Sequence, residues 1–412
     1  MNTRSHSSEP PRIASATMVL LGVGWFGAQI FWAFHAGTMP LFLTGFTDSK
    51  FTISLVLSLA GVTGLIIPPA VGYLSDRAST RWGRRRPYIL AGALGVLICI
   101  LLLPGVAAFG GVALLSGCMY ALFRTAETTY LALLPDVTPA AQRGTAAGVM
   151  NLIGAVGLIG CFAVSSVLWN HHRRLVFGVV AFGCFLFLSI ATALIKEPAA
   201  RQESAPSTAG PLAYLKSVVK ETNVLRFFAA QFSWWLAFWM VSTFAVLFAT
   251  EELHVPEGRS LLVPMVFAIV AAVFMVPLGM LGDRFSRKRV LSCVLACWVV
   301  LQVLVGLSQN LTHALLTFGL CAIPYAGIMA VGYAFLFDLI PKERTAEFVG
   351  IGLVSMASGQ ICGPLIGGRV IDAFGYRWIF PCAAAFLLIG LVLLQLVRAP
   401  ATSSSAHGSP PS

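Results

Sequence analysis

The sequence predicts an all-α membrane protein with twelve transmembrane helices in two pseudo-symmetric six-helix halves. Three observations lead there. The chain of 412 residues is 58% hydrophobic and 10% charged, with a mean hydropathy of +0.85, a composition foreign to water-soluble domains. Its apolar residues gather into runs that match the length of about 20 residues a helix needs to cross a bilayer. A charged turn, Gly72-Tyr73-Leu74-Ser75-Asp76-Arg77, returns as Gly279-Met280-Leu281-Gly282-Asp283-Arg284 at an offset of 207 residues (283 − 76). Backbone inside hydrocarbon must pair its own polar groups, so runs without strand-like alternation are read as helices and strands are expected to be absent.

The runs lie near 18–43, 51–74, 88–108, 112–134, 145–169, 175–195, 224–250, 260–282, 289–308, 311–339, 347–371 and 377–397. Met1 to Ser15 is polar, and the run after it is too long for a signal peptide and lacks a small-residue cleavage site, so the first helix is expected to be retained. The second run closes on Asp76-Arg77, and the third opens after Gly83-Arg84-Arg85-Arg86-Pro87. The fourth ends at Asp136, and His171-His172-Arg173-Arg174 after the fifth reads as a solvated outer loop. Residues 196–223, with Glu197-Pro198 and Ser204-Ala205-Pro206-Ser207-Thr208, are polar and Pro/Ser-rich and read as the linker between halves. The seventh run stops at an outer margin marked by Glu251-Glu252, the eighth at Asp283-Arg284 and the tenth at Asp338. The expected organisation is a tail (1–15), a first half (16–195), the linker (196–223), a second half (224–398) and a tail (399–412) whose Ser403-Ser404-Ser405 composition is that of unstructured chain.

A second pair of landmarks repeats. Asp136-Val137-Thr138-Pro139, followed by Arg143, matches Asp338-Leu339-Ile340-Pro341, followed by Arg344, at an offset of 202 residues (338 − 136). Duplicated halves with a charged turn at one place in each are the arrangement of secondary carriers.

The net charge of +11 is topogenic rather than a nucleic-acid footprint. With the N-terminus inside, 20 of the 27 Lys and Arg residues fall on cytoplasmic segments, which puts both termini in the cytoplasm, with membrane lipid as the basic surface's partner. A bacterial-type inner membrane and a monomer are expected. All nine cysteines lie inside predicted spans with no CxxC pair, and read as small packing residues; no metal site and no cofactor is implied. HExxH and GxSxG are absent from the sequence, so an enzyme is not expected.

The turn resembles the signature of the major facilitator superfamily between its second and third helices: a Gly, then Asp-Arg, then Gly-Arg-Arg. Val71 to Pro87, with Gly27-Ala28-Gln29, Trp32-Ala33, Pro40 and Tyr130-Leu131-Ala132-Leu133-Leu134-Pro135-Asp136-Val137-Thr138-Pro139, is similar to the sucrose/proton symporters of plants and their animal relatives, in the glycoside-pentoside-hexuronide cation symporter group. The resemblance implies the major facilitator fold and symport of a sugar or glycoside with a proton or cation. It departs at Leu131, where plant sucrose carriers hold an arginine. It also implies a gate in which Gly72, Asp76, Arg77, Gly83, Arg84, Arg85, Gly279, Asp283 and Arg284 hold the cytoplasmic side shut. On elementary grounds, a carboxylate at a helix end can accept from the orphan amides of another helix and pair with arginines, while Gly72 would allow close helix approach.

Arg124 and Glu127 share one helical face inside a span. Each costs about 2.5 to 3.5 kcal/mol at mid-bilayer on insertion scales, so such groups persist when paired or functional. Glu127 is the expected proton acceptor, Arg124 its tuner or a solute contact, and His35 a second candidate for protonation. Solute lining is expected from Gln29, Trp32, Asn151, Gln231, Trp235, Tyr325 and Gln360, since amides beside aromatic rings suit sugars. Gly359-Gln360-Ile361-Cys362-Gly363-Pro364-Leu365-Ile366-Gly367-Gly368 fits the GxxxGPxxGG pattern of proton-coupled drug exporters, but in the eleventh helix instead of the fifth, where packing alone would select it. Export of a drug or a small metabolite such as a siderophore is therefore the alternative.

The charge asymmetry predicts that impermeant thiol labels reach cysteines placed at Ser204 and Ser403 only from inside. Labelling of either from outside would overturn the topology.

Overall fold

A computed structural model describes residues 15–78, 80–139, 142–196, 221–340 and 345–398, excepting the side chains of 345–347 and 349. Both tails, most of the linker and the cations Arg4, Arg12, Arg201, Lys216, Lys220, Lys342 and Arg344 lie outside the described residues. Twelve helices cover the predicted runs: α1 (Ser15–Leu43), α2 (Lys50–Arg77), α3 (Arg86–Gly105), α4 (Phe109–Val137), α5 (Arg143–Leu168), α6 (Arg173–Leu194), α7 (Thr222–Glu252), α8 (Glu257–Arg284), α9 (Arg287–Gly306), α10 (Leu311–Leu339), α11 (Thr345–Phe374) and α12 (Tyr376–Gln395). Among the described residues there is no strand. Several helices run a few residues past their apolar runs, because helical hydrogen bonding continues into the polar interface after the hydrocarbon ends.

The packing repeats with a shift of six helices. In the first half α1 packs on α5 and α6, α2 on α4, and α3 on α4 and α6. In the second, α7 packs on α11 and α12, α8 on α10, and α9 on α10 and α12. The halves meet through α2 against α11 and α5 against α8, which are themselves equivalent pairs. Apolar side chains such as Leu114, Val167 and Val276 point outward, as a lipid-facing surface requires.

Small residues set the helix seams, since no hydrophobic force drives helices together in lipid and close packing must. A Cβ on Gly157 would lie 2.6 Å from the Phe26 carbonyl of α1, and one on Gly363 would lie 2.6 Å from the Leu236 carbonyl of α7. Gly359 and Gly367 of the GxxxGPxxGG stretch also lie against α7. The motif is therefore occupied in helix packing in the structure, as Gly154 and Gly157 of α5 are against α1. Of the cysteines, Cys118, Cys293 and Cys297 are exposed, so packing accounts for only part of the nine.

The halves are tied together at one end, and among the described residues no such tie is seen at the other. Opposite the charged turns, the Lys50 amide reaches Asp372 at 2.7 Å, Lys50 Nζ reaches Glu251 at 2.8 Å, and Trp169 Nε1 reaches Glu257 at 2.6 Å, each across the halves. At the turn end, the ion pairs among the described residues stay within a half. Along α2 the change is visible residue by residue. A Cβ on Gly61 would meet α11 at Ile361 within 2.8 Å, whereas one on Gly72 would find nothing within 4 Å. Among the described residues, the expected close approach at Gly72 is thus not seen; Pro68 and Pro69 lie in the helix just before it. A Cβ on Gly279 would lie 3.7 Å from Ala330 of α10, an ordinary van der Waals contact.

Candidate functional site

The charged pair of α4 lies near the middle of that helix and gathers three other helices around it. Arg124 Nη1 donates to Glu127 Oε2 at 2.8 Å, the three-residue spacing placing both on one face. Trp32 of α1 donates its indole N–H to Glu127 Oε1 at 2.7 Å, so each carboxylate oxygen holds one donor. Gly64 of α2 leaves room for the guanidinium, since a Cβ there would lie 2.8 Å from Arg124 Nη2. Arg124 also donates to the Ala60 carbonyl of α2, at 3.1 Å from Nη2, and packs over the Trp32 ring at 4.8 Å. Its remaining partner is across the interface: Nη2 donates to Gln360 Oε1 of α11 at 2.9 Å. One arginine therefore ties a carboxylate of its own half to an amide of the other.

His35 joins this cluster through aromatic neighbours. It sits on a π-helical turn, Phe34–Thr38, of a kind that often marks functional positions, and its Nδ1 lies 2.8 Å from the Tyr120 hydroxyl. Its ring packs edge-on against Trp32, Tyr120 and Trp239. Trp239 of α7 also faces Trp32 at 6.3 Å, so it meets two residues of the other half. Behind it, Phe238 stacks on Tyr325 at 4.8 Å, and Trp235, Phe267 and Trp298 complete an aromatic wall in the second half.

The structure thus brings together Trp32, His35, Arg124, Glu127 and Gln360, with Trp235 and Tyr325 in the adjoining wall. It does not bring Gln29, Asn151 or Gln231 to the cluster. Gln29 lies in the seam between α1 and α5 beside Gly154, Asn151 is exposed on α5, and Gln231 is buried near Gly352 between α7 and α11. Amide chemistry alone points to them, and amides serve seams and surfaces equally well. Two cluster residues are missing from the sequence-based lining. Tyr120 stands one turn before Arg124 on the same face, a periodicity available to find it; Trp239 is visible in sequence only as part of an aromatic crowd.

At the turn end, each half makes the same triad from its two landmarks. Arg85 reaches both Asp136, at 2.5 Å, and Asp76, at 3.3 Å, while Arg84 reaches Asp136 at 3.0 Å. In the second half Arg287 spans Asp338, at 2.7 Å, and Asp283, at 3.3 Å. Gly83 has φ of 107°, a backbone that favours glycine, so its place in the turn is conformational. Arg77 packs its guanidinium over Tyr73, and Arg284 is exposed. Among the described residues, no cross-half latch is made at these positions in this conformation.

Breaking a buried ion pair by removing one partner costs roughly 3–5 kcal/mol, because the other is left uncompensated. Glu127→Ala and Arg124→Ala are each expected to lower the melting temperature of the purified protein, and the double substitution to cost clearly less than the two together. Additive losses in that cycle would show that the two side chains are held independently.

The sequence profile of the Major Facilitator Superfamily matches residues 21–276 and 250–411. The chain is 29% identical over 143 residues to the multidrug resistance protein MdtG of Proteus mirabilis, 35% of each chain. It is 34% identical over 88 residues to the sucrose transport protein SUT1 of Oryza sativa subsp. japonica, 21% of this chain and 16% of that one. These alignments span 16% to 35% of the relatives' own length. Among solved structures, that of the nucleoside transporter NupG superposes with a TM-score of 0.76 at 13% identity, covering 93% of this chain and 99% of the other. With twelve membrane-length helices among its described residues, in two equivalent halves, and a profile match along nearly its whole length, the chain belongs to the Major Facilitator Superfamily.

Proposed function

We propose that this transporter moves a small polar solute, a sugar or glycoside, by symport with a proton or cation through alternating access. The observation that carries the reading is the Trp32–Glu127–Arg124–Gln360 chain of hydrogen bonds, which links a titratable carboxylate to a contact between the halves. Ionised Glu127 holds Arg124 by a charge-assisted bond. Protonation removes that charge and weakens the bond, so Arg124 is held chiefly by Ala60 and Gln360 and becomes available to solute hydroxyls. Proton occupancy and solute contact then alter the same bridge between halves, which is what coupling requires. Indole and phenol rings at Trp32, Trp239, Trp235 and Tyr325 supply faces for sugar C–H groups, and Gln360 supplies a two-way hydrogen-bonding amide.

The positive-inside asymmetry supports a cytoplasmic turn end; on that reading the conformation tied at the opposite end faces the cytoplasm, both termini and the 196–223 linker belong to that side, and the halves are 16–195 and 224–398. In the opposite conformation the triads around Asp76 and Asp283 would meet the facing half and hold the cytoplasmic end shut. A monomer in a bacterial-type inner membrane suffices for this cycle. A second reading, proton-coupled export of a drug or small metabolite, is favoured by the similarity to a multidrug resistance protein.

A panel of sugars and glycosides offered to right-side-out and inverted vesicles, with and without a proton gradient, separates the two. Symport predicts gradient-dependent uptake into right-side-out vesicles, with Glu127→Gln losing accumulation by at least about tenfold while retaining counterflow, which needs binding and rocking but no net proton transfer. Undiminished proton-driven accumulation by Glu127→Gln would remove Glu127 from coupling, and gradient-driven loading of inverted vesicles alone would establish export.

A further inference from the structure

The end of the molecule opposite the charged turns carries a structure that no sequence motif announces. The N-terminus of α2 is capped from the other half: Asp372, near the end of α11, accepts from the Lys50 amide at 2.7 Å, the Phe51 amide at 3.0 Å and the Ser49 hydroxyl at 2.8 Å. The N-terminus of α8 is capped from the other half too, where Asn170, just past α5, accepts from the Gly258 amide at 3.0 Å. These are one contact made twice. Asp372 follows Asn170 by 202 residues (372 − 170), and Gly258 follows Phe51 by 207 (258 − 51), the same two offsets that relate the repeated landmarks.

The backbones approach equally closely in both. A Cβ on Gly368 of α11 would lie 2.6 Å from the Lys50 carbonyl, and one on Gly258 of α8 would lie 2.5 Å from the Ser166 carbonyl. Since 368 − 202 is 166, the glycine that permits contact stands on α11 in one copy and on α8 in the other. The charges are exchanged in the same way. The first copy has its acid at the capping residue and a cation, Lys50, in the capped turn. The second has a neutral cap, Asn170, and the acid, Glu257, in the capped turn. Glu257 takes Trp169 Nε1 at 2.6 Å and Arg173 at 2.8 Å, while Lys50 goes to Glu251 of α7 at 2.8 Å. In each copy a negative charge meets the N-terminal dipole of a helix, supplied by the facing half in the first and by the capped helix itself in the second.

We infer that these two cross-half caps form a pseudo-symmetric clasp that sets the stability of the conformation closed at this end, and that Asp372 and Asn170 are its positioning residues. Opening this end must break both caps together, because rocking of one half against the other separates α2 from α11 and α8 from α5 in one motion. The inference rests on alternating access and not on the identity of the solute.

The test is double electron–electron resonance on the full chain in nanodiscs. Spin labels at Ala107 and Thr312, exposed in the first and second halves, report this end, and labels at Arg81 and Ser286 report the turn end, with exposed Cys118, Cys293 and Cys297 replaced by serine. Asp372→Ala is expected to raise the open-to-closed ratio at the Ala107–Thr312 pair by about fivefold, the worth of one helix cap. Asn170→Ala should do the same to a lesser degree, the double variant more than either, and Asp372→Asn, which keeps one acceptor oxygen, should fall between. The turn-end pair should shorten in step. Native distance distributions at both pairs in the double variant, with solute still shifting the turn-end pair, would overturn the clasp while leaving alternating access standing. Distances that never respond at either end would contradict alternating access itself.

Discussion

The arginine–carboxylate pair inside α4 is the interaction on which the rest of the arrangement depends. In water such a pair is worth little, but at mid-bilayer neither charge can remain without a partner, so every neighbour is recruited to satisfy it. Trp32 completes Glu127, the Ala60 carbonyl and Gln360 complete Arg124, and Gly64 makes the room. Four helices, one of them from the other half, are thereby held by one pair of side chains. A purely apolar seam would slide; this one has a register.

Duplication supplies the second constraint. The helix pairs that bind each half internally are repeated, and the two pairs that bind the halves to one another are also equivalents, so the interface is close to a two-fold arrangement made from one chain. Residues within it need not be identical, only complementary. The triads at the turn end keep the same chemistry in both copies, Asp76–Arg85–Asp136 and Asp283–Arg287–Asp338. The caps at the other end keep the geometry and exchange the charges. The central pair is present on one side only: Glu127 and Arg124 face Gln360 and an aromatic wall instead of a second ion pair, which concentrates titratable chemistry in the first half and ring surface in the second.

Much of this is legible in the sequence. Twelve helices follow from hydrocarbon thickness, which leaves the backbone no alternative, and the halves follow from two motifs repeated at nearly the same offset. Arg124 and Glu127 are conspicuous because charge inside a span is costly. What stays hidden is partnership. Gln360 lies 236 residues from Arg124 and looks in sequence like part of a glycine-rich packing motif. Tyr120 carries no charge and so raises no alarm, although its spacing on α4 matches. Gln29, Asn151 and Gln231 look like solute contacts because polar side chains in membranes are uncommon, yet polarity does not say which side of a helix meets a partner. Gly72 suggests a close contact, but among the described residues a Cβ there would meet nothing within 4 Å. A motif can name a residue without naming the state in which it acts.

Proton uptake measured when solute binds to the purified protein in weakly buffered detergent solution is the most direct test of the central claim, because it reads the charge on Glu127 apart from any vesicle gradient. The account predicts that binding takes up protons in the native chain at a pH where Glu127 is ionised, and that this uptake disappears in Glu127→Gln although solute still binds. Proton uptake of unchanged size in Glu127→Gln would contradict it.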